Sequence, residues 1–409
     1  MAKLSFETLS FKLKEKVLQV TLLRIFQTAI ALEDIEEQLG EFELPDINTI
    51  SFPKFGDDKQ AKVELLFSQL LAESFEHLVN KINKNKTYYI HKNSGIPLIG
   101  NVAFGIVYRD SSIIEIKPIT SCNLNCIYCS VGEGLESKKY DFVVEESYII
   151  QELENLLKFI NEPVEIHVGV QGEPFLYADM EYLLADLQKM DTVAKISVDT
   201  NGTLLSKEII DRVAKHDKLR FNFSLDAIDE ELAKKMAGVD TYNVKHVQEM
   251  IKYASEKMKE VLVAPLVVPG YNEKEIEKVI QFIKTLKNQP ILGIQNFLNY
   301  KTGRNPVKAK PWQEFYAWIK ELELKYDIKL KLHEEDFGIH KTKSLPKPFE
   351  MDDMVKATIK AEDRFPGACI AVARGRNISV PNCEFKKDKK IRIKLTRDKH
   401  NVFVGKLVS

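Results

Sequence analysis

The sequence predicts an α/β protein in which a partial (β/α)6, TIM-like barrel lies between a helical N-terminal region and a small C-terminal β-barrel. Three observations support this fold class. Apolar strand patterns alternate with amphipathic helix patterns over residues 111–300, which is typical of a parallel sheet with right-handed crossovers. Residues 1–90 contain two stretches with apolar side chains at helical spacing. Residues 351–409 contain five short strand patterns separated by turns.

Length and composition narrow the class of protein. The chain has 409 residues, enough for two or three domains, and a net charge of −1, so no global field indicates a polyanionic partner. Its five cysteines, three of them clustered, make a poor disulfide framework and suit a reducing compartment. No apolar run of about 18 residues and no signal-peptide core is present. We therefore expect a cytoplasmic protein without membrane association.

The N-terminal region, residues 1–90, is predicted to be helical. Apolar side chains recur at helical spacing in residues 17–30 and again in residues 63–82, and a proline-containing stretch at residues 44–55 separates them. We expect this region to pack against the next domain. Residues 91–108 then predict a pair of short strands that leads into the core.

The core is predicted to span residues 91–300. Its strand patterns and helix patterns alternate, with strands at residues 113–119, 164–170, 194–198, 221–225, 261–268 and 291–298, and helices at residues 144–160, 180–190, 207–216 and 244–258. Ligands of such folds bind at the carboxyl ends of the strands. The segments that follow each strand are therefore the candidate functional residues.

Three cysteines follow the first strand. Cys122, Cys126 and Cys129 have the spacing Cys-x3-Cys-x2-Cys, and thiolates select zinc or iron–sulfur clusters. A structural zinc site normally has four ligands, and no fourth cysteine or histidine lies nearby in sequence. The pattern favours a 4Fe–4S cluster with one iron open to a ligand, with a structural zinc site as the alternative.

Polar segments also follow the later strands. Gly172 and Glu173 come after the second strand, where glycine lets a ligand approach the backbone and a carboxylate can accept hydrogen bonds from an ammonium group. The segment 199–203 follows the third strand, Ser224 the fourth and Val268 the fifth. Each segment alone could be an ordinary turn, but their common position at strand ends predicts one shared site.

These motifs together resemble the radical S-adenosylmethionine (SAM) enzymes. Tyr128 is the aromatic residue that the family has before its last cysteine, and the segment 171–174 is similar to the family's Gly-Gly-Glu-Pro element, with Gln171 in place of the first glycine. The resemblance implies one 4Fe–4S cluster on the three cysteines, cleavage of SAM to a 5′-deoxyadenosyl radical, and an electron donor such as ferredoxin or flavodoxin. It also implies SAM contacts from Tyr128, Gln171, Gly172, Glu173, Asp199, Thr200, Asn201, Ser224 and Val268.

Residues 301–350 are predicted to form a helical and loop extension. Lys301 and Arg304 could meet substrate phosphates or belong to a solvated loop. A helix then opens with several apolar residues, which predict core packing or, alternatively, an aromatic base-stacking platform: Trp312, Phe315, Tyr316, Trp318 and Ile319.

The C-terminal region, residues 351–409, is predicted to be a five-stranded barrel of the oligonucleotide-binding type. Residues 381–409 hold nine Lys or Arg against three acids, a net charge of +6, which indicates a surface for a polyanion. The segments 367–372, 374–380 and 401–407 resemble the TRAM domain, an RNA-binding barrel. The resemblance implies RNA contacts from Lys386, Lys387, Lys389, Lys390, Arg392, Lys394, Arg397 and Lys399.

The combined hypothesis is a radical SAM enzyme that modifies RNA, with tRNA favoured. Two alternatives stay open: a radical SAM enzyme that acts on a small molecule or peptide, and an RNA-binding protein with a structural metal site. Only Cys369 and Cys383 remain outside the cysteine loop, too few for a second four-cysteine site. One cluster is therefore expected.

Overall fold

Strands dominate the N-terminal region of the computed structural model, which describes residues 1–408. The elements of this region are β1 (Ala2–Ser5), β2 (Leu9–Lys14), β3 (Val17–Leu22), β4 (Phe26–Ala31), α1 (Leu32–Leu39), β5 (Glu43–Asp46), β6 (Thr49–Phe52), α2 (Gln60–Phe75), β7 (Val79–Asn80) and β8 (Thr87–Ile90). They form one sheet in the order β2-β3-β4-β7 and another in the order β1-β6-β5.

The prediction of a helix over residues 17–30 is wrong. β3 and β4 form an antiparallel hairpin in which Leu22 pairs with Phe26, and the buried side chains of β3 alternate with partly exposed ones, the period of a strand. Leu23 and Arg24 turn the chain with positive φ. Such turns usually contain Gly or Asn, so nothing in the sequence marks the break. The second predicted helix is present as α2 but ends at Phe75.

The core contains the predicted alternation of strands and helices. Its elements are β9 (Gly105–Tyr108), β10 (Ile113–Lys117), β11 (Asp141–Val144), α3 (Glu146–Ile160), β12 (Val164–Val168), α4 (Met180–Lys189), β13 (Val193–Thr200), α5 (Lys207–Val213), β14 (Leu219–Phe223), α6 (Glu230–Ala237), α7 (Val244–Lys257), β15 (Glu260–Val263), β16 (Leu266–Val267), α8 (Glu273–Thr285), β17 (Ile291–Leu292) and β18 (Gln295–Asn296). Each strand predicted from residue 113 onward overlaps an observed one, whereas residues 91–108, predicted as a pair of strands, contain only β9.

The central sheet has the order β17-β15-β14-β13-β12-β10-β9. All neighbours from β10 to β17 are parallel, and β9 adds an antiparallel edge. Because these strands are parallel, the segments after β10, β12, β13 and β14 lie at the same end of the sheet. Since chain order and spatial order agree, these segments are also neighbours there. One face of the sheet carries apolar side chains such as Ile166, Val198 and Phe221, which are buried in the main core.

The C-terminal part begins with the helix α9 (Trp312–Tyr326) and continues as β19 (Met354–Glu362), β20 (Ala368–Ala373), β21 (Arg376–Pro381), β22 (Lys390–Arg397) and β23 (Val404–Leu407). The five strands form a closed barrel in the order β19-β20-β21-β23-β22, as predicted. One apolar core joins residues 1–90 to the central sheet, and another fills the barrel. The domain limits drawn from the sequence stay predictions. Within residues 1–408, no helix has the length and apolar character needed to cross a membrane.

Candidate active site

A cavity of 660 Å³ lies at the carboxyl ends of the central strands. The structure places ten of the predicted cluster and SAM residues in its wall: Cys122, Cys126, Tyr128, Cys129, Gly172, Glu173, Asp199, Thr200, Asn201 and Ser224. Two others lie outside the wall. Gln171 is buried and donates its amide to Glu133. Val268 packs in an apolar cluster with Met236 and Phe297.

The cysteine loop is held by the end of helix α6. The N–H groups of Asn125 and Ile127 donate to the carbonyls of Ala237 and Met236, at 2.9 and 3.1 Å. Gly238 follows with φ +68°, and a Cβ at that position would overlap the carbonyl of Asn125. Glycine is therefore required where the helix meets the loop.

Arg304 holds the same loop from the other side. Its guanidinium donates to the carbonyl of Cys126 at 2.8 Å, to Oδ1 of Asn125 at 2.6 Å and to the carbonyl of Glu133 at 2.9 Å. Its backbone N–H donates to the carbonyl of Cys129 at 2.9 Å. Three of the five N–H donors of the Arg304 guanidinium are used by the loop, so its observed role is to position the loop. Lys301 is exposed.

The thiols of Cys122, Cys126 and Cys129 line one cavity, although within residues 1–408 no three His, Cys, Asp or Glu side chains are arranged to hold a single metal ion. Burial, together with the neighbouring Cys129 and Asp226, raises the pKa of Cys126 to about 12, and burial raises the pKa of Cys122 well above its usual value. Since metal ligands bind as thiolates, positive charge must stabilise them here. The backbone N–H of Glu133 also donates to Sγ of Cys129 at 3.4 Å. The loop thus offers an iron–sulfur cluster three thiols and one backbone N–H donor.

Glu173 offers a buried carboxylate that has no cationic partner in residues 1–408. Its oxygens accept hydrogen bonds from the N–H of Phe175 at 3.1 Å, from the Thr200 hydroxyl at 2.8 Å and from the N–H of Asn201 at 2.8 Å. Burial raises its pKa to about 7. A carboxylate has about four acceptor positions, so one stays open for an ammonium donor.

The backbone around Glu173 is unusual in two places. Gly172 has φ +68°, and a Cβ there would overlap the carbonyl of Ser121 in the cysteine loop. Val170, a β-branched residue that lines the cavity, also has positive φ, +66°. Such strain is concentrated at ligand sites. The turn at Gly172 therefore packs in direct contact with the cysteine loop.

Two of the predicted SAM contacts, Asn201 and Tyr128, form hydrogen bonds with neighbouring residues of the protein. The Asn201 amide donates to Oδ1 of Asn123 at 3.0 Å, which ties the turn after β13 to the cysteine loop. The Tyr128 hydroxyl donates to the carboxylate of Asp226, whose other oxygen accepts the N–H of Leu266 at 2.8 Å. Burial raises the pKa of Asp226 to about 6. Asp226 was not predicted as a site residue.

A polar network on the cavity side of the sheet was also missed. Asp199 accepts hydrogen bonds from His167 at 2.9 Å and from Asn222 at 3.0 Å. Arg220 donates to Asn222 at 3.0 Å and to Glu165 at 2.9 Å. The signal was present in the sequence, because β12, β13 and β14 alternate polar and apolar residues. A strand covered by apolar side chains on both faces would be apolar throughout.

The C-terminal barrel reaches the site through Arg364. This residue is 3% exposed, and its guanidinium pairs with Glu133 and, at 3.2 Å, with Asp141. Glu133 also accepts the amide of Gln171. The loop between β19 and β20 is therefore part of the packing around the cysteine loop, a relation that sequence spacing could not indicate.

Comparisons with known proteins identify the family of the central part of the chain. The family model described as the radical SAM superfamily matches residues 116–283. An uncharacterised protein of Methanocaldococcus jannaschii is 33% identical over 97% of this chain and 96% of its own length. A GTP 3′,8-cyclase of Clostridium botulinum is 25% identical over 187 residues, which are 45% of this chain and 55% of the cyclase. The structure of Streptococcus suis SuiB bound to S-adenosylmethionine is similar with a TM-score of 0.44 and 14% identity over 80% of this chain and 72% of that one.

Proposed function

Because this chain belongs to the radical SAM superfamily, we propose that it modifies RNA, and tRNA in particular. Its cofactors are a 4Fe–4S cluster and SAM, which together supply a 5′-deoxyadenosyl radical when bound. The chain itself binds and orients the reacting groups and excludes water, since the demanding chemistry belongs to the cofactors. We place the enzyme in the cytoplasm, with ferredoxin or flavodoxin as electron donor.

We assign the cluster to Cys122, Cys126 and Cys129, and the ammonium group of SAM to Glu173. The assignment rests on the three thiols in one cavity wall and on a buried carboxylate without a cationic partner in the described chain. Asp199 and Ser224 line the same wall and are the proposed ribose contacts. Thr200 and Asn201 are assigned to positioning, because their side chains already bond Glu173 and Asn123.

The observation that carries the RNA assignment is a stripe of basic residues on the outside of the C-terminal barrel. Lys356 on β19 pairs directly with Arg392 on β22, and Lys394 on β22 pairs directly with Lys406 on β23. Like charges opposite each other destabilise a sheet. A polyanion bound across the three strands would remove that repulsion, and RNA phosphates supply the required charge.

The other predicted RNA contacts differ in what they already bind. Lys386 pairs with Glu384 at 2.9 Å and Lys387 pairs with Glu76. Lys394 also reaches Asp352 at 2.8 Å. Lys389, Lys390, Arg392, Arg397 and Lys399 are exposed on or beside β22. We assign the main RNA contacts to this last group together with Lys356 and Lys406, and the TRAM-like character of the barrel is part of the proposal.

The proposal is tested by anaerobic incubation of the reconstituted enzyme with dithionite, SAM and bulk tRNA from its source. Formation of 5′-deoxyadenosine should rise when tRNA is added. The double variant Lys356→Glu with Arg392→Glu should weaken tRNA binding by about tenfold or more, and wild-type binding should fall steeply with salt. Lys252→Glu with Lys259→Glu, two exposed residues in and after α7, is the matched control. Equal affinity in both double variants would remove the barrel from RNA binding.

A second candidate function is action on a free nucleotide. Its support is the similarity to proteins named GTP 3′,8-cyclase, which is confined to about half of this chain. Formation of 5′-deoxyadenosine that depends on a nucleotide and not on tRNA would favour this candidate. A protein that holds iron but never cleaves SAM would contradict both.

A further inference from the structure

The start of helix α9 presents an aromatic surface to the cavity. Phe315 and Ile319 are buried in the core, but Trp312 is 49% exposed and Tyr316 is 40% exposed. The sequence suggested core packing or a stacking platform for these residues. In the structure, Phe315 and Ile319 pack in the core, whereas Trp312 and Tyr316 are exposed to the cavity.

The exposed indole is held in a fixed orientation. The rings of Trp312 and Tyr316 are stacked, with centroids 5.4 Å apart and planes at 22° to each other. The rings of Phe315 and Trp312 are nearly perpendicular, with centroids 5.8 Å apart. Nζ of Lys331 lies 4.6 Å from the centre of the Tyr316 ring. Since one face of the half-exposed Trp312 ring is stacked on Tyr316, its other face is the free surface.

This aromatic surface and the cysteines belong to one cavity. The cysteine loop follows β10, near one edge of the central sheet, whereas α9 follows the strands at the other edge, where β17 lies. The cavity wall therefore has a cofactor side and an aromatic side. A ring stacked on Trp312 would enter the same space that the proposed SAM contacts face.

An unpaired acceptor lies next to the aromatic surface. The Asn296 side chain lines the cavity, and its Nδ2 donates to the carbonyl of Lys310 at 2.8 Å, two residues before Trp312. The carbonyl can only accept, so Nδ2 is fixed there and Oδ1 is the free end. Oδ1 is buried without a partner in residues 1–408. Such an atom destabilises the site until a ligand or water donates to it.

From these observations we infer that Trp312, supported by Tyr316, stacks on a nucleobase of the RNA substrate, with Asn296 accepting an N–H of the base. The inference rests on the proposed function, because it takes the substrate to be RNA. Every base has a flat face, so stacking binds without demanding one sequence.

The experiment uses the fact that the chain has two tryptophans, Trp312 and Trp318. In the Trp318→Phe holoenzyme, saturated with SAM, all tryptophan emission comes from Trp312. Adenosine 5′-monophosphate, uridine 5′-monophosphate and bulk tRNA should each quench it saturably, and ribose 5-phosphate should not. The matched control is Trp312→Phe, in which Trp318 reports and no probe should quench.

A second measurement separates stacking from folding. Trp312→Ala should raise the KM for tRNA by about 10- to 100-fold, the loss expected for one stacked base, whereas Trp312→Phe should stay within about threefold of the wild type. Three results would overturn the inference: quenching by SAM alone, tighter quenching by N-acetylphenylalaninamide than by nucleotides, or tRNA binding without quenching. In the last case the proposed function would stand. If tRNA fails to bind at all, the proposed function fails with the inference.

Discussion

Arg304 shows how one side chain can fix the conformation of the cysteine loop. It donates to Asn125, Cys126 and Glu133, three points along the cysteine loop. Arg304→Ala would leave these acceptors unpaired, and we expect the free energy of unfolding to fall by about 2–3 kcal/mol. The loop would then hold its cysteines less well, so iron should be lost faster on dilution or chelation.

The comparison for this variant is Lys301→Ala, three residues away and exposed. It should keep the iron content and visible absorbance of the wild type. Wild-type iron retention in Arg304→Ala would mean that helix α6 alone fixes the loop.

His167 and Asp199 form a pair whose contribution depends on pH. Burial alone would lower the pKa of His167, but the Asp199 carboxylate outweighs it and raises that pKa above its usual value. Burial alone would raise the pKa of Asp199, but His167 holds it below its usual range. The stability from Asp199 is lost as pH falls below about 4, and that from His167 is lost as pH rises through its raised pKa, above about 6.5.

We therefore expect His167→Gln to be less stable than the wild type by about 1 kcal/mol near pH 6, the value of one charged hydrogen bond partly open to solvent. The difference should shrink as the pH is raised towards 9. Thermal unfolding of both proteins across this range measures it. A difference that grows with pH would show that His167 is neutral in the folded protein.

At the scale of elements, the sequence predicted what is periodic and local. The strands of the core were found because apolar residues recur in each and a helix pattern follows the first four, and the strand ends that carry Cys122, Glu173 and Ser224 follow directly. The β3–β4 hairpin was missed because Leu23 and Arg24 form its turn. Asn222 contacts Asp199 only because β13 and β14 pair in a particular register. Such a contact could not be predicted from the spacing of the two residues along the chain.

The loop between β19 and β20 and the cysteine loop are joined by a buried ion pair. Arg364→Met would leave Glu133 and Asp141 buried without their cation, and breaking a buried pair costs about 3–5 kcal/mol. Adding Glu133→Gln should recover part of this loss, so the two changes should be non-additive by about 1–3 kcal/mol. Urea unfolding of the single and double variants measures the coupling.

An exposed ion pair of the same barrel gives the control. Lys360 and Asp388 lie 2.6 Å apart near the surface, and Lys360→Met should cost less than about 1 kcal/mol. Equal costs for Arg364→Met and Lys360→Met would show that the barrel is only loosely attached to the core. Because Arg364 is expected to contribute so much more to stability than Lys360, removing residues 351–409 would also destabilise the core. RNA binding is therefore better tested by reversing surface charges.

At the scale of the whole molecule, the five cysteines are divided between two environments. Cys122, Cys126 and Cys129 line the cavity, whereas Cys369 and Cys383 are buried in the core of the C-terminal barrel, where Sγ of Cys369 donates to the carbonyl of Cys383 at 3.1 Å. Burial raises the pKa of Cys369 to about 12. Neither barrel thiol lies in the wall of the cavity that the cysteine loop lines.

The whole chain should therefore hold one cluster, with about four irons and four sulfides per protein after anaerobic reconstitution. Cys369→Ala and Cys383→Ala should lower stability by about 1 kcal/mol or more through the cavity each leaves, while iron content and SAM cleavage stay at wild-type levels. Cys126→Ala should lose the iron. About eight irons per chain, or loss of SAM cleavage in a folded Cys369→Ala variant, would give the barrel cysteines a role in the chemistry.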